Sequence, residues 1–213
     1  MRARKATVLS LLLLVLTPSA SAATISTPFN SNNGFAGNMF DVTNLTGSTI
    51  DILGTFRVNL ATGGTNANVS VYYRSGSYVG FEGSPVGWTS LGTATGVDSN
   101  GNNIPTPIDV GNTFAIGPFQ TYGLYVTVSN YPAAEMRYTN GSDIINDGVL
   151  SLTLGIGKGD PDFLGSTFTP RIWNGEIDYQ LNQVSAIPEP STWLLLATGL
   201  AAIILTRRRV QAR

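Results

Sequence analysis

Residues 50–60 read Ile-Asp-Ile-Leu-Gly-Thr-Phe-Arg-Val-Asn-Leu, a run in which apolar side chains recur at every second position. The even positions are apolar at Ile50, Ile52, Phe56, Val58 and Leu60. Successive side chains of a strand point to opposite faces, so this period of two predicts a strand with one buried face. A helix would instead repeat its apolar residues every three or four positions.

The same alternation recurs along the chain between residues 67 and 73 and between 122 and 128. Further candidate strands lie at 149–156 and 172–181, with weaker ones at 39–43, 88–93, 109–116 and 134–138. Asn-Gly or Asp-Gly pairs, typical of turns, stand at 33–34, 100–101, 140–141, 147–148 and 174–175. The pair Asn174-Gly175 interrupts an apolar run, so we expect a hairpin tip or a bulge there.

We find no amphipathic helical stretch of ten or more residues between these runs. Roughly nine short strands without helices predict an all-β fold. The expected architecture is an antiparallel β-sandwich of jelly-roll or immunoglobulin-like type. We place this domain at residues 23–184, between a signal peptide at 1–22 and a tail at 185–213.

The N-terminal segment has the three parts of a secretory signal peptide. Basic residues come first, an apolar run follows from Val8 to Leu16, and Pro18 ends that run. Ala20 and Ala22 then supply small side chains, which predicts cleavage by signal peptidase between Ala22 and Ala23.

The charge of the chain is unevenly distributed. Residues 23–187 contain five basic and twelve acidic residues, a formal charge of −7, although the whole chain carries only −1. Such a domain could not neutralise a row of phosphates, so nucleic acid is excluded as a partner. The same balance argues against direct adsorption to anionic lipid.

Two residue types are missing from the sequence. The chain contains no cysteine, so the fold has no disulfide framework and depends on its core. It also contains no histidine, which excludes a Ser-His-Asp triad and the usual catalytic zinc sites. Carboxylates are therefore the only plausible catalytic groups.

The C-terminal tail contains an uncharged segment at 190–206 that ends at Arg207, Arg208 and Arg209. As a helix, these 17 residues would extend about 25 Å, at the short end of what spans a bilayer. Basic residues stay on the cytoplasmic side, so we expect the domain outside the cell and the arginines inside.

Pro188-Glu189-Pro190, followed by the apolar segment and the arginine cluster, resembles the PEP-CTERM sorting domain. The resemblance covers residues 187–213 and adds to the evidence for export. It implies recognition by an exosortase, a membrane-embedded cysteine protease-transpeptidase that removes the tail, in a bacterium that makes exopolysaccharide. The protein would then be membrane-anchored first, and later lie at the cell surface or outside the cell.

Two features of the domain are candidate binding sites. Tyr72, Tyr78 and Trp88 are candidate glycan contacts, since exposed aromatic rings stack on sugars, although core packing also explains them. Asp160 and Asp162 are weak candidate calcium ligands, although a plain polar turn also explains them. We expect no other cofactor.

An enzyme would need two acids in one cleft. Glu82, Glu135 and Glu176 are available, and Glu176 shares a strand face with Asp178, but nothing singles out a pair. The expected function is therefore non-enzymatic, that of an exported surface or extracellular-matrix protein. The alternatives are a carbohydrate-binding module acting on exopolysaccharide and a carboxylate-based glycoside hydrolase.

Overall fold

The computed structural model describes residues 22–182 and 197–200 of the chain. Residues 22–182 form one compact unit, and 197–200 form a single helical turn that is described by itself. Within these two ranges, no helix is long and apolar enough to cross a membrane. The segment predicted to span a membrane, 190–206, lies largely outside the described residues, and so does the signal peptide up to residue 21.

Residues 22–182 contain fifteen strands, more than sequence alternation predicts because several are too short to show a period. The strands are β1 (Ala22–Ser26), β2 (Asn33–Phe35), β3 (Gly37–Asn44), β4 (Ile50–Val58), β5 (Ala67–Ser75), β6 (Thr89–Val97), β7 (Thr106–Asp109), β8 (Phe114–Ile116), β9 (Thr121–Val128), β10 (Met136–Asn140), β11 (Asp143–Asn146), β12 (Leu150–Lys158), β13 (Thr167–Phe168), β14 (Arg171–Trp173) and β15 (Gly175–Leu181).

The strands form three sheets. The five-stranded sheet has the order β1-β15-β4-β7, with β8 also pairing with β4. The seven-stranded sheet has the order β11-β12-β3-β9-β5-β6, with β13 also pairing with β12, and a small sheet has the order β14-β10-β2. All of these strand pairs are antiparallel, which confirms the predicted all-β antiparallel fold.

The two larger sheets enclose one hydrophobic core. Phe56 of β4 on one side and Phe40 of β3 and Leu124 of β9 on the other belong to the same buried cluster. The alternation predicted for β4 is confirmed, since its even positions are buried and its odd positions are half-buried. Trp173 of the small sheet closes the core by stacking on Phe40, with ring centroids 4.7 Å apart.

The opposite face of the seven-stranded sheet carries a second, smaller cluster, which we call the outer cluster. Its buried members are Met39, Tyr78, Tyr125, Ile156 and Phe163. Tyr78 and Phe163 belong to the loops 76–88 and 159–166, and these loops cover the centre of the sheet. Strand β9 is consequently buried on both faces along most of its length, where alternation alone predicts one exposed face.

Two turn predictions and one strand prediction are wrong. The predicted strand at 109–116 is split into β7 and β8, because residues 110–113 fold over Gly54 of β4. A Cβ on Gly54 would lie only 2.5 Å from the Asn112 carbonyl oxygen, so the absent side chain makes room for this fold. The pair Asn33-Gly34 lies inside β2 and forms no turn.

The pair Asn174-Gly175 is neither a hairpin tip nor a bulge. It is the point at which the chain leaves β14 in the small sheet and enters β15 in the five-stranded sheet. Asn174 is buried there, and its amide group donates to the hydroxyl oxygen of Thr139 over 3.0 Å. A buried amide that finds such a partner can hold a sharp change of direction inside the fold.

Candidate functional site

The three aromatic residues predicted as glycan contacts lie in one place. Tyr78 is a buried member of the outer cluster, and Tyr72 and Trp88 are partly buried against it. Tyr72 meets Phe163 edge-on, with centroids 5.1 Å apart, and Trp88 is inclined by 57° to the same ring. The cluster therefore packs as a small core, with the outer edges of Tyr72 and Trp88 open to solvent.

Tyr125 and Phe163 complete this site, and neither was predicted from the sequence. Tyr125 stands at an odd position of β9, which the period of two assigns to solvent. An aromatic residue on an outward face was the available signal that something covers it. Phe163 has a left-handed backbone conformation, with φ of 63°, which a bulky side chain rarely adopts and which nothing in the sequence foretells.

The position of Tyr78 depends on its neighbours in the sheet. The carboxylate of Asp41 on β3 accepts hydrogen bonds from the Tyr78 backbone N–H, at 2.9 Å, and from the Ser77 hydroxyl, at 2.6 Å. Gly123 and Gly155 leave space beneath the loop, since a Cβ on either would collide with Tyr78. Burial, assisted by the charge of Asp41, raises the pKa of the Tyr78 phenol, so the group is neutral at physiological pH.

Asp160 and Asp162, the candidate calcium ligands, lie in the loop at the edge of the outer cluster. Asp162 accepts a hydrogen bond from the Thr127 hydroxyl at 2.9 Å, and burial together with the charge of Asp160 raises the pKa of Asp162. In residues 22–182 and 197–200 no three acidic side chains gather into a metal-binding group. The calcium site stays a prediction.

A cation from the end of β12 already reaches into this loop. The ammonium group of Lys158, a residue that is 1% exposed, donates to the Gly165 carbonyl oxygen at 2.7 Å and to the Thr167 hydroxyl at 3.0 Å. Burial lowers the pKa of Lys158. The Gly165 carbonyl oxygen and the Thr167 hydroxyl thus both accept hydrogen bonds from a lysine of the chain itself.

Two of the carboxylates considered for a glycosidase, Glu176 and Asp178, lie on one face of β15 in the five-stranded sheet, whereas Glu82 lies in the loop 76–88. Glu176 and Asp178 both contact Arg57, at 3.2 and 2.9 Å. Burial alone would raise the pKa of Asp178, but hydrogen bonds from Thr24 and Arg57 outweigh it and leave that pKa lowered. A general acid needs a raised pKa, so Asp178 has the opposite electrostatic character.

Glu135 forms an ion pair with Arg137, with an N–O distance of 2.6 Å. An open pocket lies beside Arg57 and Asp178, lined by Thr55, Pro107 and Asp109. Asp178 is ion-paired with Arg57 there, whereas the carboxylate of Asp109 accepts a hydrogen bond from the Gly111 N–H.

The predicted sorting and cleavage residues lie mostly outside the described residues. These are Ala20, Pro188, Glu189, Pro190, Arg207, Arg208 and Arg209. Ala22 and Ala23 are described, and they pair with Gln180 and Tyr179 at the start of β1. Cleavage between them would leave all but the first residue of β1 in place.

Comparison with known proteins finds a sorting motif in the tail. Residues 186–209 match the PEP-CTERM protein-sorting motif, which confirms the resemblance seen in the sequence. No curated protein matches the chain. One similar solved structure is the crystal structure of the infectious bursal disease virus VP2 subviral particle, at 13% identity and a TM-score of 0.28. The alignment covers 89% of this chain and 49% of the viral chain, so this chain spans about half the length of that protein.

Proposed function

We propose that this chain, which carries a PEP-CTERM protein-sorting motif, is a non-enzymatic bacterial surface or extracellular-matrix protein. The observation that carries the proposal is the match over residues 186–209, which supports export and sorting by an exosortase. Signal peptidase removes residues 1–22, and the β-sandwich is presented outside the cell. The biological role then belongs to the sandwich, and the two ends of the chain deliver it.

In this proposal the tail acts before processing. The apolar segment 190–206 enters the membrane, and Arg207, Arg208 and Arg209 remain on the cytoplasmic side. Exosortase then cuts near Pro188-Glu189-Pro190. The protein is first anchored with its domain outside and afterwards lies at the cell surface or in the extracellular matrix.

The order of the strands supports a jelly roll over an immunoglobulin-like sandwich. Two four-stranded orders, β1-β15-β4-β7 and β3-β9-β5-β6, lie in the two large sheets. Consecutive strands such as β3 and β4, or β4 and β5, alternate between these sheets. Eight strands that cross between two sheets in this way make the double Greek key of a jelly roll, and β10–β14 are inserted before the last strand.

The state of the carboxylates supports a non-enzymatic role. Glu176 and Asp178 share one arginine, Glu135 has another, and Asp162 is bound to a hydroxyl. A glycoside hydrolase needs one acid with a raised pKa and a second, ionised acid across the same cleft. Asp162 has the raised pKa, but its one acidic neighbour, Asp160, is exposed on the same tight loop.

Carbohydrate binding is the second candidate function. The observation that favours it is the partial exposure of Tyr72 and Trp88 at the edge of the outer cluster, beside the exposed Asp160. Partly exposed aromatic rings with polar neighbours suit a sugar ring, and exopolysaccharide is the ligand to test. A glycan array with the processed protein and its Trp88→Phe variant addresses this function. Binding to no glycan would remove the candidate.

Localisation tests the leading proposal. We expect the full chain to become accessible to protease on the surface of exosortase-containing cells, or to appear in their medium. A chain that lacks residues 186–209 is expected to lose this distribution, while Arg213→Ala, a change in the tail beyond the matched residues, leaves it unchanged. The proposal fails if the shortened chain reaches the same place in the same amount.

A further inference from the structure

One end of the β-sandwich holds the points at which the chain enters and leaves it. Ala22 at the start of β1 pairs with Gln180, and the backbone N–H of Asn182 donates to the Thr49 carbonyl oxygen over 2.9 Å. The loop 45–49 between β3 and β4 and the loop 117–120 between β8 and β9 lie at the same end, since Thr43 pairs with Thr121. We call this the exit end.

The exit end presents an apolar side chain under backbone strain. Phe119 is 71% exposed and has a φ of 57°, in the left-handed region that favours glycine. It follows Pro118 in a turn closed by the hydrogen bond from the Gln120 N–H to the Gly117 carbonyl oxygen. Glycine or asparagine is the ordinary choice at this position of such a turn. A strained, exposed phenylalanine is more informative than an exposed apolar residue in a relaxed backbone.

A buried asparagine holds the two loops together. The side-chain amide of Asn44 donates to the carbonyl oxygens of Ser48, Ile116 and Gly117, at 2.7 to 3.2 Å. Its own oxygen accepts hydrogen bonds from the backbone N–H and the hydroxyl of Thr46. The backbone N–H of Phe119 donates to the Thr46 carbonyl oxygen, and the ring lies beside Gly47. Phe119 is therefore presented by a preorganised scaffold.

The loops at this end are suited to a lipid surface, and the carboxylate of Asp51, at the start of β4, accepts a hydrogen bond from the Asn182 side-chain amide at 2.7 Å. The loops 45–49 and 117–120 contain no charged residue, although residues 23–187 carry −7. Asp147 in the neighbouring turn accepts hydrogen bonds from the N–H groups of Val149 and Leu150 and from the Tyr179 hydroxyl. Leu45, which is 40% exposed, adds a second apolar side chain to the loops. Uncharged loops with apolar tips can approach a bilayer without desolvating a free charge.

We propose that Phe119 and Leu45 form a membrane-contacting tip that seats the exit end on the outer lipid surface before the tail is removed. The inference rests on the proposed function, in which the apolar segment 190–206 enters the membrane. Seven residues, 183–189, separate Asn182 from that segment, and the eight Cα–Cα steps from residue 182 to residue 190 span at most about 29 Å in an extended chain. A membrane that holds this segment therefore lies within reach of the exit end.

Quenching by lipid tests this contact. The chain has no cysteine, so Leu45→Cys gives a single site for an NBD fluorophore. A matched control is Ile104→Cys, a 51% exposed apolar site in the loop before β7 at the opposite end, where Thr106 pairs with Val58. The full chain is reconstituted into phosphatidylcholine vesicles that contain brominated phosphatidylcholine. We expect the label at residue 45 to lose fluorescence and the label at residue 104 to keep it.

A second variant isolates Phe119 from the tether. Phe119→Gly suits the left-handed backbone, so folding is expected to be retained or improved, while quenching at residue 45 falls. Quenching that is unaffected by Phe119→Gly would overturn the role of Phe119. Chains that float with the vesicles but show no quenching at residue 45 would overturn this inference alone. Chains that fail to float would overturn both the inference and the membrane step on which it rests.

Discussion

The ring of Tyr73 stacks on the ring of Phe114, with centroids 4.2 Å apart and an angle of 7° between the planes. Tyr73 belongs to β5 of the seven-stranded sheet and Phe114 to β8 of the five-stranded sheet. The pair therefore joins the two layers of the sandwich by direct contact between rings. Nothing covalent joins them, because the chain has no cysteine.

We predict that Phe114→Ala lowers the free energy of unfolding by about 3–5 kcal/mol, since it removes a buried ring and leaves a cavity. Phe114→Leu fills most of the space and is expected to cost less. Urea denaturation of the two variants measures both values. Equal costs for alanine and leucine would show that the filled volume is not what Phe114 contributes.

The ion pair between Arg57 and Asp178 predicts a pH dependence. The pKa of Asp178 is lowered in the folded chain, so the ionised carboxylate stabilises the fold at neutral pH. This contribution is present above the unfolded pKa, near about 4, and is lost as the pH falls through the lower folded pKa.

The variant to compare is Asp178→Asn, which we expect to cost up to about 1 kcal/mol at pH 7, because the pair is partly exposed to solvent. The difference from the wild type should vanish in acid. Asp109→Asn, a change at an exposed acid of the same pocket, serves as the control. A difference between wild type and Asp178→Asn that persists unchanged at low pH would show that the carboxylate charge is not the cause.

Gly155 lies beneath the ring of Tyr78, and this contact leads to a steric prediction. A Cβ at residue 155 would lie 2.6 Å from the ring carbon Cζ of Tyr78, so Gly155→Ala must displace the ring. We expect a loss of about 1–3 kcal/mol in unfolding free energy. Gly83→Ala, where a Cβ would meet nothing within 4 Å, is the matched control.

A double-mutant cycle checks the cause of that loss. In the Tyr78→Ala background the clash is absent, and Gly155→Ala should become nearly neutral. If the cost of Gly155→Ala is the same in both backgrounds, the glycine acts through the backbone and not through Tyr78.

The sequence predicts those strands of the fold that bury only one face, because their apolar residues then recur at every second position. Strand β4 is such a case, because its even side chains meet the core and its odd ones remain half-exposed. The outer cluster could not be predicted in the same way. Tyr125 is buried because loops distant in sequence cover it, and alternation carries no information about distant loops.

The same distinction, between contacts that are local in sequence and contacts that are distant, applies to the candidate sites. Tyr72, Tyr78 and Trp88 could be grouped from the sequence because they lie close together along the chain. Phe163, their fourth contact, is some 75 residues beyond Trp88 and reaches them only through the tertiary fold. The exposure of Phe119 depends on a left-handed turn conformation that phenylalanine disfavours. The conformational preference of the residue therefore does not predict this turn.

Lys158 leads to a prediction about calcium. Its ammonium group already binds the Gly165 carbonyl oxygen and the Thr167 hydroxyl, which organises the loop that carries Asp160 and Asp162. We therefore expect millimolar calcium to leave the melting temperature unchanged. Lys158→Met should lower stability by about 1–3 kcal/mol, because it removes the hydrogen bonds from a charged donor to the Gly165 carbonyl oxygen and the Thr167 hydroxyl.

Thermal unfolding with calcium, with magnesium and with a chelator measures the metal effect. A rise in melting temperature with calcium alone, abolished by Asp160→Asn, would contradict this account and establish the calcium site.

The central claim is that the tail is a sorting signal that is removed from an exported β-sandwich. The intact mass of the mature protein, isolated from exosortase-containing cells, tests it most directly. The account predicts that the wild-type chain and the Arg213→Ala control lack both residues 1–22 and the end of the tail, while Glu189→Ala keeps the tail. A wild-type mature mass that still includes residues 186–209, or normal removal of the tail in Glu189→Ala, would contradict it.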